Sequence, residues 1–427
     1  MVIVVGSGAG GAIIAMELAL ANIPVTLIEK GPKIKIKDAF KYYDKSDKGL
    51  DLLKTSCIGG TTTVAVGNGV RVLEDELKDL GISISEELDE VEKLLSVHEM
   101  DDNHFGKGTK TFMKVAKELN LNPRKMPKFI RDEECKSCGF CAFGCGKNAK
   151  WTSADFVKIA IENGAEVLDN TEVIDISIEE GKKQIKGRKE KEKKEEEKGK
   201  EKQVKGVTVK KANGEVEFIP SDTVILSAGA VGSAILLQKI GLNAGQKLFI
   251  DSFVTIGGIL KDIGFKKEVQ MNGLVIGENY ILAPHYSQFI ANELKKQGAK
   301  DKDIFSIMVK IPDESCGEIK DGKVIKENTI KDIQYIAEGS AVAGSILIDG
   351  GVDPNSIVST NLRGAHPGGT AAIGEIVDTN LETEIDGLFV SDASVLPKSP
   401  GAPPILTILA ISKRLSKYLI KEINEIS

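Results

Sequence analysis

The chain opens on an unbroken aliphatic run at residues 2–5, and the polar break after it is made of glycine: Gly6, Ser7, Gly8, Ala9, Gly10 and Gly11. An apolar run of this length closed by a glycine turn predicts a strand buried on both faces. Residues 12–21 then read as a helix, residues 25–28 as a second buried strand, and Glu29 closes that strand. Strand, glycine turn, helix, strand and acidic residue in this order predict a dinucleotide-binding βαβ unit. Gly6 ends the strand in a tight turn, Gly8 admits a pyrophosphate to the backbone, and Gly11 lets the helix pack close to the sheet. Phosphates would rest on the free amides at the start of that helix. Glu29 would accept from ribose hydroxyls, which argues against a 2′-phosphate.

The pattern then changes several times. Residues 33–54 are polar and irregular, and a second glycine turn at Gly59, Gly60 and Thr61, followed by Gly67, Asn68 and Gly69, is suited to hold another part of an extended cofactor. Over residues 75–125 apolar residues such as Leu88, Val91, Leu94 and Leu95 recur at helical spacing, which predicts a helical excursion. His98 and His104 lie there among acidic and glycine residues and read as surface histidines. Residues 153–163 form an amphipathic helix pattern. Residues 166–178, 204–209 and 216–219 read as strands, the last two joined across Asn213 and Gly214. Between the first two, residues 181–203 are almost wholly Lys and Glu. Such a block cannot bury enough apolar surface to fold alone, so it reads as a solvated hairpin tip or a short charged helix, with docking as an alternative use.

Residues 223–226 repeat the buried-strand pattern and run through Ser227, Ala228 and Gly229 into a helix ending near Ile240. From residue 247 to 349 the segments alternate in β fashion with helical interludes, which suggests a separate substrate-covering unit. The chain then returns to glycine turns around His366 and Asp392, and closes in a helix over residues 405–423.

Composition narrows the class. A chain of 427 residues has room for two or three domains, and a net charge of −6 gives no reason to expect nucleic acid as a partner. The apolar run at residue 2 is spent at once on the glycine turn, so no signal peptide is expected, and no apolar stretch is long enough to span a bilayer. A cytoplasmic protein without a membrane span is the expectation. Of six cysteines, Cys135, Cys138, Cys141 and Cys145 fall within eleven residues. That clustering points to metal rather than to disulfides. The spacing C-x-x-C-x-x-C-x-x-x-C resembles the bacterial ferredoxin run, with Gly146 where that run has proline, and suits a [4Fe-4S] cluster. Cys57 and Cys316 are alternative fourth ligands. A zinc site and a metal-free structural turn are the competing readings.

The motifs as a set resemble the glucose-methanol-choline (GMC) flavoprotein oxidoreductases. The residues that carry the resemblance are the amino-terminal fingerprint with Glu29, Gly59-Gly60-Thr61 with Asn68, the segment from Asn170 to Val173, the turn from Ser227 through Gly229 to Ser233, the segment from His366 to Thr370, and residues 387–407. The resemblance implies an α/β fold: a Rossmann-like FAD-binding domain, with parallel sheet and β-meander, from residues 1–246 and 351–427, and a smaller α+β substrate domain from residues 247–350. It implies FAD, held by Gly6, Gly8, Gly11, Glu29, Gly59, Gly60, Thr61, Asn68, Val173, Gly229, Asp392, Ala393, Pro404, Ile405 and Thr407. It also implies that His366 faces the reactive side of the flavin and takes the hydroxyl proton of a small-molecule CH-OH substrate while hydride passes to flavin N5.

One position departs from the family. Where an Asn or His usually partners this histidine, alignment on Pro404 and Thr407 places Pro403, which has no side-chain hydrogen-bonding group. Asn361 and His285 are the visible substitutes. With an iron-sulfur cluster present, a dehydrogenase feeding a ferredoxin-like or other redox protein is favoured over an oxidase. The alternatives are a reductase of a C=O or C=C bond, and a non-catalytic electron-transfer subunit.

Overall fold

The computed structural model describes residues 1–44, 52–181 and 201–426. Its first layer is a five-stranded parallel sheet, in the order Leu388–Val390, Val224–Leu226, Val2–Val5, Val25–Ile28, Glu166–Leu168. The first four of these strands are buried at every residue, as the continuous apolar runs demand of an all-parallel sheet. The helix Ala9–Leu20 packs between Ser153–Glu162 and Ile405–Ile426. The two ends of the chain therefore meet, and Lys413 pairs with Glu17 at 2.5 Å.

A second sheet is antiparallel. It runs Val358–Ser359, Ser252–Ile259, Ile304–Lys310, Ile281–Pro284, Gly273–Ile276, Arg124–Lys125, and Arg363–Gly364 also pairs with Ser252–Ile259. The helix Ile330–Asp349 packs on this sheet, burying Ala343, Ile346 and Leu347 among Val254, Phe305 and Val309. A three-stranded meander, Thr171–Gly181, Glu201–Lys211 and Val216–Pro220, forms a third sheet, and two short two-stranded pairs, Glu318–Lys320 with Lys323–Ile325 and His98–Glu99 with Pro127–Lys128, lie outside these three. No helix among the described residues is long and apolar enough to cross a membrane.

Several expectations change. The first helix starts at Ala9 rather than at residue 12, because Gly10 and Gly11 lie inside its first turn. Residues 166–178 are not one strand: Asn170 takes φ +50°, a left-handed value asparagine tolerates, and splits the run between the parallel sheet and the meander. The helical excursion resolves into Glu74–Asp79, Ser85–Leu95 and Lys107–Glu118. Leu88, Val91 and Leu95 are buried there, whereas Leu94 is exposed. Of the charged insert, residues 182–200 lie outside the described residues, and the residues at its two ends extend the meander strands, with Gly181 opposite Glu201.

Candidate functional site

Ligands of parallel sheets bind beyond the carboxyl ends of the strands, and the residues singled out in the sequence gather there from all five. Glu29 follows the second strand, and its buried carboxylate accepts from Ser7 N at 3.0 Å, Ser7 Oγ at 2.7 Å and Gly31 N at 2.9 Å. Burial pushes its carboxyl above the usual range, and these hydrogen bonds oppose the shift. Its oxygens thus tie the first turn to the strand before they meet any ligand. A Cβ on Gly8 would meet nothing within 4 Å, which leaves the turn open to a ligand. A Cβ on Gly11 would come within 1.9 Å of the Gly6 carbonyl oxygen. Gly11→Ala is therefore expected to cost about 1–3 kcal/mol through overpacking and to weaken flavin retention, read from the melting midpoint and from flavin absorbance after gel filtration.

The other cofactor segments are joined to this turn. Gly59 N donates to Ser7 Oγ at 3.1 Å, which sets the Gly59-Gly60-Thr61 loop beside Gly8. Thr171 N donates to Glu29 O, so the strand carrying Val173 leaves from beside Glu29. Asp392 is buried, and it accepts from Gly229 N at 2.8 Å, Ser233 Oγ at 2.6 Å and Ser394 N at 2.7 Å. Thr407 Oγ1 donates to Val72 O and anchors the first turn of the last helix, just after Pro404 and Ile405. Gly369 N donates to Ala393 O and Thr370 Oγ1 to Ala230 O, which brings the His366 turn against the Asp392 turn. A cleft of about 600 Å³ lined by Met1, Pro24 and Thr223 lies at the opposite, amino ends of the strands, away from these residues.

His366 is held by partners that the sequence did not reveal. Its Nδ1 lies 2.7 Å from Asp251 Oδ2 and 3.3 Å from Lys310 Nζ. Asp251 is fully buried at φ +50°, and its other oxygen accepts from Ser399 Oγ and from Gly401 N at 3.0 Å. Burial and then Lys310 hold the imidazole below its ordinary value, against Asp251. Burial likewise lowers Lys310. Of the two substitutes expected for the partner missing at Pro403, Asn361 is exposed and His285 has a buried Nδ1 without a partner. Burial, with Arg363 and Lys310 nearby, brings His285 down to about 4, so it is neutral at working pH. The nearest sequence signal for these groups is Lys310, a lysine ending the apolar run Ile304–Lys310.

Cys135, Cys138, Cys141 and Cys145 line one cavity with Ile130, Val269 and Lys150, whereas Cys57 and Cys316 do not. Cys57 is buried beside Thr63, and Cys316 is exposed beside Lys326. No group of three or more His, Cys, Asp or Glu among the described residues is placed to hold a metal ion. A zinc ion needs all its thiolates about 2.3 Å from one point, a convergence that the loop does not make. The cavity that these cysteines line is about 20 Å³, so a metal group wider than one ion would require the loop to open.

Two buried lysines adjoin this cavity. Lys150 Nζ donates to the carbonyls of Thr62, Thr63 and Ala65 in the cofactor loop and to Cys141 O. Lys128 Nζ donates to Asn68 Oδ1, Val66 O and Gln270 O. Every one of these acceptors is neutral. Burial pulls Lys128 down to about 7 and Lys150 to about 8, and the acidic groups that oppose it are cysteine thiols. Burial also pushes the Cys135 thiol up to about 11. His104 is a correction: it is buried rather than on the surface, with Nδ1 2.9 Å from Ser137 Oγ inside the cysteine loop. His98 is partly exposed, and its Nε2 meets Asp132 at 2.9 Å.

Comparison with known proteins agrees with this geometry. The fold and the gathered turns are those of an FAD-dependent oxidoreductase. The GMC oxidoreductase family model matches residues 52–284 and 331–412, and the chain belongs to that family. It is 33% identical to an uncharacterized protein of Methanocaldococcus jannaschii over 98% of this chain and 99% of that protein. It is 23% identical to a long-chain-alcohol oxidase of Arabidopsis thaliana over 99% of this chain and 67% of the oxidase. Among solved structures, pyridoxine 4-oxidase from Mesorbium loti superposes with a TM-score of 0.71 at 15% identity, covering 98% of each chain. A formate oxidase from Aspergillus oryzae, studied for modification of its FAD, gives 0.75 at 15% identity over 100% of this chain and 98% of its own.

Proposed function

We propose that this chain is an FAD-dependent dehydrogenase of CH-OH groups, in which His366 takes the hydroxyl proton and the four-cysteine loop holds a [4Fe-4S] cluster that passes electrons to a protein acceptor. The observation that carries the catalytic half is the His366–Asp251 pair beside the Asp392 turn. With Asp251 accepting the Nδ1 hydrogen, Nε2 keeps its lone pair and acts as the base. Lys310 disfavours the imidazolium before substrate arrives. FAD, when bound, accepts the carbon-bound hydrogen as hydride. The names of the alcohol, pyridoxine and formate oxidases support oxidation at a carbon bearing oxygen. A base held in this way favours catalysis over a relay subunit.

The cluster half rests on donor chemistry and charge. Four cysteines line one cavity, beside two buried lysines whose acceptors are all neutral. A buried cation is costly unless it meets an anion, and a cluster held by four thiolates carries net negative charge and transfers single electrons. Lys150 joins the cysteine loop to the cofactor loop directly. The test is anaerobic purification, iron analysis and titration with a panel of primary and secondary alcohols. About four irons per chain with broad absorbance near 400 nm beyond flavin, and bleaching of the flavin by an alcohol, are expected. Iron-free protein overturns the cluster, and a flavin that no alcohol bleaches overturns the CH-OH reading.

A further inference from the structure

The cysteine loop carries an exposed face that the catalytic reading does not use. Phe140 and Phe143 in the loop and Phe40 on the neighbouring segment are 53%, 39% and 45% exposed. Their rings meet edge to face, with centroids 6.1 Å apart for Phe140 and Phe143 and 6.4 Å for Phe40 and Phe143. Tyr43 OH donates to Ala142 O at 3.0 Å, and a Cβ on Gly144 would strike the Ile36 carbonyl, so the two segments form one surface. Exposed aromatic rings grouped in this way on a polar surface mark a contact site.

The charge around these rings selects the partner. Residues 33–41 and 135–147 together carry six lysines and one carboxylate, Asp38, in a chain whose net charge is −6. Asp38 pairs with Lys41 at 2.8 Å, and Lys35, Lys37, Lys136 and Lys147 are exposed. The bordering Glu134 is taken by Arg131 at 2.7 Å. Cys138, one of the four cavity cysteines, is exposed in the same loop, so this is where a cluster would lie closest to solvent.

We infer that the face formed by Phe40, Phe140 and Phe143 with Lys37, Lys136 and Lys147 docks a small acidic one-electron carrier protein. The inference rests on the cluster reading above. Oxidation of one CH-OH to C=O releases two electrons and two protons, so each turnover reduces two carrier molecules by one electron each and the protons pass to solvent. Opposite charge steers the encounter, and the aromatic rings supply the dry contact once the partners meet.

The test uses full-length enzyme loaded with FAD and iron-sulfur, reduced anaerobically and mixed in a stopped flow with an acidic [2Fe-2S] ferredoxin as probe. Lys35→Glu/Lys37→Glu and, separately, Lys136→Glu/Lys147→Glu are expected to slow the second-order rate by about tenfold or more at low salt, with the gap closing at high salt. Phe140→Ser is expected to slow it at both salts. Iron content and absorbance near 400 nm of each variant report the cluster independently. Unchanged rates with iron intact overturn the docking face alone, as does faster reaction with basic cytochrome c than with the acidic probe. Iron-free wild-type enzyme overturns the cluster reading and the docking face with it.

Discussion

Asp251→Asn is expected to lower the rate of substrate-driven flavin reduction by about 10²- to 10⁴-fold and to leave the flavin bound. The amide offers His366 a donor as readily as an acceptor, so the imidazole can settle with its hydrogen on Nε2 and no lone pair towards substrate. His366→Ala is expected to fall as far, and the double variant no further, because the two side chains act as a unit. A pH profile separates positioning from mere packing. His366 lies below its ordinary value, and a base works only when unprotonated, so activity persists as pH falls past the ordinary imidazole value of about 6.5 and is lost only at lower pH. Lys310→Met removes a cation that lowers the imidazole value, so the acid limb moves to higher pH. Full activity in Asp251→Asn, or a limb that ignores Lys310→Met, would remove His366 from the role of base.

The second large effect concerns the cysteine loop. Cys141→Ser is expected to take iron from about four per chain to near zero and to abolish electron transfer to a protein carrier, while alcohols still bleach the flavin. Cys57→Ser and Cys316→Ser serve as controls, since neither residue lines the cavity. Lys150→Met gives a signed companion result. In iron-free protein the variant melts higher, because a buried cation without an anion is gone. In loaded protein it loses iron faster, because the same cation would balance the cluster. Retention of iron in Cys141→Ser, or identical melting of the Lys150→Met and wild-type iron-free proteins, contradicts the charge argument.

The parts of the molecule that were legible in the sequence are those set by local pattern. Residues 2–5 and 25–28 are strands in the structure to the residue, because a short apolar run bounded by glycine or an acid admits few other states. The run at residues 166–178 misleads for the same local reason: its alternation continues across Asp169 and Asn170, and only the left-handed Asn170 redirects the chain. His104 sits among Asp101, Asp102 and Asn103, yet folding of the cysteine loop over it makes it buried. Asp251 and Lys310 are 115 and 56 residues from His366. Their meeting is made by pairing of Ser252–Ile259 with Ile304–Lys310 and Arg363–Gly364, which no window along the chain displays. The GMC resemblance singled out His366, and the proline at position 403 left its partner unspecified, a place that Asp251 and Lys310 take in the structure.

The order of strands in the parallel sheet also bears on how the protein is made. The strand at residues 2–5 lies between one from residue 25 and one from residue 224, and the strand from residue 388 pairs beyond the latter. A nascent chain that has not yet reached residue 388 has no Asp392 to receive Gly229, and no helix Ile405–Ile426 to cover Ala9–Leu20. Pairings this far apart in sequence form slowly. Flavin is therefore expected to be held only once residues 388–426 have folded into place, and a stop codon even a few turns into the last helix should leave a cofactor-free chain for the cell's proteases.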